Sequence, residues 1–195
     1  MKNLIRVVFV MSFAALLGAS ALAQTAVVPP PRPGDSGPSL AVTMEFIQAK
    51  LSEQGSVNYM SYYQDSASGQ QWTEQFSDEI SNVTANPSSC RIDYHWKITL
   101  DGAVTLDQDA GFSLRDVQDL AVMTGEMHQK KVNTAAGVPT QDSRIDPPVF
   151  VLVVRRTRNA ENPFVFTEEE MANRVAKAMV HAVELCGGGQ KAEPF

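Results

Sequence analysis

From position 90 to 100 apolar and polar residues alternate without a break. Cys90, Ile92, Tyr94, Trp96, Ile98 and Leu100 fall on one side, and Arg91, Asp93, His95, Lys97 and Thr99 on the other. This strict period of two predicts a strand with one buried face and one wet face, as in an antiparallel sheet. Asp101-Gly102 follows, a two-residue hairpin turn because both residues tolerate positive φ, and Val104 and Leu106 lead the returning strand. Upstream, residues 57–63 with Tyr59, Tyr62 and Tyr63 read as a strand, and residues 66–69 as the loop after it. Residues 71–83, carrying Trp72, Phe76, Ile80 and Val83, read as the next strand, which Asn86-Pro87 ends. Over residues 112–123 strand and helical spacings compete, and strand is favoured. Val149 to Val154 is an unbroken apolar run suited to a central strand, and residues 155–163 turn it into the short strand Phe164-Val165-Phe166.

Two stretches change period. After Ser39, a good N-cap, the apolar residues Leu40, Met44, Ile47 and Leu51 step along one helical face until Gly55. Thr167 and Glu170 have capping-box spacing, and Glu168, Glu169 and Glu170 suit the positive end of a helix dipole. Met171, Val175, Ala178, Met179, Ala182 and Cys186 follow on one face, opposite Arg174, Lys177, His181 and Glu184, before Gly187-Gly188-Gly189. Residues 125–148, with Lys130-Lys131 and Pro147-Pro148, read as a long polar loop of the kind that is often functional or mobile.

The first 23 residues stand apart. A short basic start (Lys2, Arg6), an apolar run from Val7 to Leu17 too short to span a bilayer, and Ala21-Leu22-Ala23 before Gln24 have the build of a secretory signal peptide. The expected product is periplasmic or secreted after cleavage near Ala23/Gln24, with a stiff proline-rich linker over 24–38, one domain over 39–189 and a loose tail over 190–195. No Cys near the cut offers the attachment thiol of a bacterial lipoprotein, and no second long apolar run predicts an integral membrane segment. Without Lys2 and Arg6, 14 basic residues face 22 acidic ones, a net charge of −8. That balance disfavours nucleic acid and anionic lipid as partners.

The two cysteines bear on the same picture. Cys90 shares its register with Ile92 and Tyr94, and Cys186 the helix face of Val175 and Met179, so both point at one core. In an oxidising compartment they are candidates for a disulfide closing a 96-residue separation, against the alternative of two buried thiols.

A helix, about seven antiparallel strands and a C-terminal amphipathic helix follow the order of a pleckstrin-homology-like barrel. The last thirty residues carry the resemblance: Phe164-Val165-Phe166, Glu169-Glu170-Met171-Ala172 and Arg174-Val175-Ala176-Lys177-Ala178. The resemblance implies an α+β, mainly β fold, an antiparallel barrel or strongly bent sheet whose final helix caps one mouth. The superfamily's phosphoinositide-binding basic residues have no counterpart, since residues 64–75 contain no Lys or Arg.

Candidate chemistry is sparse. His95, on a polar strand face, His128, in the long loop, and His181, on the outer helix face, lack partners at metal-ligand spacing. Asp107-Gln108-Asp109 lacks the later ligands that close a calcium loop. No nucleophile elbow or phosphate-binding glycine motif occurs, so no metal, cofactor or catalytic residue is expected. Lys130, Lys131, Arg155, Arg156 and Arg158 are candidates for an anion or partner contact. Phe195 after Glu193-Pro194 could be read by a carboxylate-capturing groove. The expected function is an exported binding or scaffold module contacting an unidentified protein or ligand. The alternatives are a carrier of a small apolar ligand, with Trp72, Tyr94, Trp96 and Phe150 inward, and an enzyme whose site converges from separate strands.

Overall fold

The computed structural model describes residues 37–138 and 140–189. The expected leader (1–23), the spacer up to residue 36 and the tail (190–195) lie outside the described residues.

Helix α1 spans Leu40–Gln54. The Ser39 hydroxyl accepts from the Val42 N–H at its start, and Gly55 (φ 59°) ends it. Its Met44, Ile47 and Leu51 are fully buried, on the face that the helical spacing indicates.

Strands β1 (Ser56–Asp65), β2 (Gln71–Asn86), β3 (Arg91–Leu100) and β4 (Ala103–Ser113) follow as antiparallel neighbours. Asp101 and Gly102 form the expected two-residue turn, both at positive φ (49° and 78°), with Leu100 opposite Ala103. Strand β2 carries a bulge where Asn82 takes φ 52° and the register shifts between Ser81 and Thr84. Ile80 and Val83 are three residues apart and would face opposite sides of a regular strand. The extra residue turns both into the core, where both are buried.

The stretch expected as one strand over 112–123 is two. Strand β4 ends at Ser113, a single 3-10 turn covers Leu114–Asp116, and β5 (Val117–Thr124) starts in a different sheet. The expected long loop over 125–148 is largely ordered. It contains helix α2 (Gly125–Ala135) and strand β6 (Thr140–Asp146), which pairs with β1. Helix α2 begins against Ile145 and Val149 so tightly that a Cβ on Gly125 would stand 2.6 Å from Val149 Cγ2. Among the described residues strands β7 (Phe150–Arg156) and β8 (Glu161–Phe166) complete the sheets, and helix α3 covers Glu169–Leu185. The helix starts two residues after the expected Thr167 cap. Phe166 is still paired with Phe150, and Glu168 occupies the N-cap with no side-chain bond, so no capping box forms.

The strands divide into a five-stranded sheet, β4-β3-β2-β1-β6, and a three-stranded sheet, β5-β7-β8. Both are antiparallel, and the fold is α+β. Among the described residues the two sheets share no ladder, so the expected barrel is not closed. Strand β7 is the central strand its sequence indicates, buried on both faces. Leu152 and Val154 join the main core with α1, α3, Tyr94, Phe112, Phe164 and Phe166, while Val151 and Val153 meet Val57, Ile145, Val149 and Val165 on the other side.

A disulfide joins Cys90 to Cys186, with Cα atoms 5.9 Å apart. It ties the C-terminal end of α3 to the turn entering β3, and both cysteines are buried at 4% and 9% exposure. Cys90 lies just outside β3, at φ 54°, rather than within the strand. Arg174 on α3 lies over the Phe46 ring of α1 at 5.6 Å, and His181 Nε2 contacts the Pro38 carbonyl at 2.8 Å. No helix among the described residues is long and apolar enough to cross a membrane.

Candidate functional site

The apolar face of the five-stranded sheet runs further than the core it covers. Near α1 and α3 it presents Ile80, Ile92, Tyr94 and Phe112, all buried. Toward the opposite end the same face continues as rungs fixed by register: Asp78 beside Val57 and Ile98, Phe76 beside Tyr59 and Leu100, Glu74 beside Ser61, and Trp72 beside Tyr63. Tyr63, Trp72, Phe76, Ile98, Leu100 and Leu106 belong to neither core cluster, and Trp72 keeps 39% exposure. Directly opposed aromatic residues stack across the strands, Tyr59 on Phe76 at 5.1 Å and Tyr63 on Trp72 at 6.4 Å. Between these pairs the Ser61 hydroxyl is buried without a hydrogen-bond partner among the described residues.

Asp78 lies near the end of the covered half, one rung before Tyr59, which still packs against the second core cluster. It sits in phase with Trp72, Phe76 and Ile80, a carboxylate at an inward position, and is only 7% exposed. Trp96 Nε1 donates to its Oδ2 at 3.2 Å. Burial raises its pKa to about 6, against the lowering effect of that bond. Burial and the Asp78 charge together push the Tyr59 hydroxyl up. At the far rung Tyr63 rises to about 12 through burial, the Glu74 charge, a hydrogen bond to Glu74 and the Asp101 charge.

The opposite, polar face holds a shallow open depression of about 360 Å³, lined by Asn82, Arg91, Asp93, His95, Asp109 and Gly111 among others. His95 stands on the wet side, as the alternation indicates, but both ring nitrogens are engaged. Nδ1 meets Asp109 at 2.9 Å and Nε2 meets Asp107 at 2.8 Å. The Asp109 bond, followed by that to Asp107, raises the His95 pKa, so its doubly protonated form donates to both carboxylates. The acidic pair Asp107 and Asp109, which lacks the further ligands of a calcium loop, is thereby engaged by one imidazole. The clamp depends on a bulge between Ile98 and Thr99 that brings Asp109 opposite His95.

The basic candidates are split. Lys131 Nζ bonds both Glu161 oxygens at 2.7 and 2.9 Å. Arg155 Nε lies 3.2 Å from Asp119 and 3.7 Å from Glu161. Lys131 and Arg155 therefore converge on the protein's own carboxylates, while Lys130 and Arg158 stand exposed elsewhere. Arg156 is half-buried, its Nε has no hydrogen-bond partner among the described residues, and its charge acts on Tyr94. His128 is on α2 rather than in a loop, where burial and the Lys131 charge lower its pKa to about 4.

Of the aromatic residues expected to point inward, Tyr94 is buried with its hydroxyl accepting from Asn162 Nδ2 at 2.7 Å. Trp96 and Phe150 pack against the main core, and Trp72 is exposed. In the sequence Tyr59, Tyr63 and Phe76 mark strands rather than a site, and Glu74 and Asp78 pass as ordinary polar positions. The signal for Asp78 was its phase, a charge between Phe76 and Ile80 on an otherwise apolar stripe.

No family model matches the chain, and neither a curated protein nor a solved structure matches it.

Proposed function

We propose that the protein is an exported binding module that acts through the uncovered aromatic half of its five-stranded sheet rather than through catalysis. One observation carries this reading: beyond Tyr59, which packs against the second core cluster, the face continues through Phe76 to the stacked Tyr63–Trp72 pair, and these residues join neither cluster. Trp72 is exposed there and Tyr63, Phe76, Ile98, Leu100 and Leu106 are half-buried; apolar surface left open to water is a common mark of interaction sites, and aromatic residues dominate binding energy where they are later desolvated. Export is supported by the leader-like first residues and by the disulfide, which persists in oxidising compartments. The likeness to pleckstrin-homology-like domains remains part of this reading, resting on the final strand and helix. A carrier role is less well supported, because Tyr94, Phe112, Phe164 and Phe166 fill the interior between the sheets.

The test is capture from the exported fraction of the source cell by the immobilised protein and by its Tyr63→Ser/Trp72→Ser variant. Proteins retained by the parent and lost by the equally folded variant support the face as the site. An identical retained set for both would overturn it.

A further inference from the structure

We infer that the outer edge of β5 is a strand-docking site and that its occupant is this chain's own C-terminal segment, residues 190–195, laid parallel to β5. The inference is independent of the aromatic face and starts from the end of α3. The disulfide at Cys186 fixes that end beside the turn into β3. The chain then turns through Gly187 and Gly189, at φ 75° and 86°, where L side chains are strained. Between them a Cβ on Gly188 would run into the Leu114 carbonyl oxygen, so glycine alone fits there. The Gly187 and Gly188 N–H groups close α3 by donating to the Glu184 and Val183 carbonyls at 3.0 and 2.9 Å. The Gly189 N–H instead donates to the Val117 carbonyl, at 3.0 Å, and so reaches β5. The three glycines do more than end a helix: they deliver the chain onto a sheet.

Strand β5 is an edge strand, and among the described residues it pairs with β7 alone. Such an edge offers unpaired N–H and C=O groups to an extended segment. The six residues 190–195 extend roughly 20 Å at about 3.3 Å each, the length of β5 from Asp119 to Thr124. In a strand the N–H and C=O groups of successive residues point to alternate sides. Counting from Gly189, whose N–H faces β5, residues 191, 193 and 195 face it too. Pro194, which has no N–H, falls on the outer side, where it costs no bond to β5 and denies a donor to any further strand. Phe195 arrives level with Thr124 and its partner Phe150. There Val122 and Phe150 are only partly buried against the main core, and a large apolar side chain covers what the described residues leave open.

The experiment compares amide exchange in the full chain with that in a chain ending at Gly189. The β5 amides that do not bond β7 should exchange about tenfold faster in the shortened chain, while β8, the other edge of the same sheet, is unchanged. Glu193→Pro removes an N–H that faces β5 and should reproduce the shortened chain. Pro194→Ala alters the outer side and should exchange like the parent. Equal β5 exchange in the full and shortened chains would overturn the inference, as would faster exchange in Pro194→Ala than in Glu193→Pro. Equal acceleration of β5 and β8 would mean that the segment serves overall stability, and would overturn the edge as its site. Protection of β5 that fades as the full chain is diluted would assign the edge to the segment of a second copy and overturn the occupant named here.

Discussion

Strand β3 belongs to two environments. At one end Ile92 and Tyr94 are sealed beneath α1, α3 and the three-stranded sheet; at the other, Ile98 and Leu100 share the same face and join no core. The alternation of apolar and polar residues is equally strict along both halves. The difference shows that period two specifies which side of a strand is dry, not how far the covering layer reaches. At the covered end, apolar area is removed from water at about 25 cal/mol per Å². At the uncovered end the same residue types remain available for a partner.

The largest effect expected from disturbing this division is loss of the Cys90–Cys186 bond, which clamps the covered end. Closing a loop of 96 residues' separation is worth about 4.7 kcal/mol in the chain-entropy model. Urea unfolding of Cys90→Ala/Cys186→Ala should show a loss approaching that size, and a change below about 1 kcal/mol would mean that the clamp is redundant.

Asp78, near the end of the covered half, comes next. Its folded pKa of about 6 lies above the 3.8 of the free side chain. Its contribution to stability is therefore full below pH 3.8 and is lost as pH rises through about 6. The shift of about two units corresponds to about 3 kcal/mol at pH 7.5. Asp78→Asn keeps an acceptor for Trp96 and should unfold at higher urea than the parent at pH 7.5, with the advantage shrinking toward pH 4. His128 works in the opposite direction. Its folded pKa of about 4 lies below 6.5, so its contribution is present above pH 6.5 and lost as pH falls through 4. The Asn variant should accordingly become more acid-sensitive than the parent between these limits. Parallel pH profiles for the two proteins would contradict a buried carboxyl at this position.

The smallest effect belongs to the uncovered end. Trp72→Ala should shift unfolding free energy by no more than about 0.5 kcal/mol, as for a surface position. A loss of several kcal/mol would reassign the Tyr63–Trp72 stack to the fold.

The sequence made some of this architecture readable. Strand β3, the Asp101-Gly102 turn, the apolar strand over 149–154 and the inward cysteines each follow from local pattern. The separation into two sheets does not, because Leu114 and Val117 continue an apolar spacing through the 3-10 turn that redirects the chain. Helix α2 was hidden by its polar composition; its buried positions are Gly125 and Asn133, which carry no hydrophobic signal. The candidate face was hidden for a different reason. Tyr59, Tyr63 and Phe76 look like core residues in any window of sequence, and only the extent of the layer above them reveals that some are not. The His95 clamp required a bulge at Ile98/Thr99, and such a shift leaves no mark in composition.

Native-state hydrogen exchange, followed residue by residue across low urea, tests the contrast between the two halves most directly. The amides of Ile92 and Val154 should exchange only through global unfolding, with strong urea dependence. Those of the Tyr63–Trp72 rung should exchange through local opening at distinctly lower free energy and with little urea dependence. A single free energy and a single urea dependence for both sets would contradict the account, because the far end of the sheet would then be part of the cooperative core.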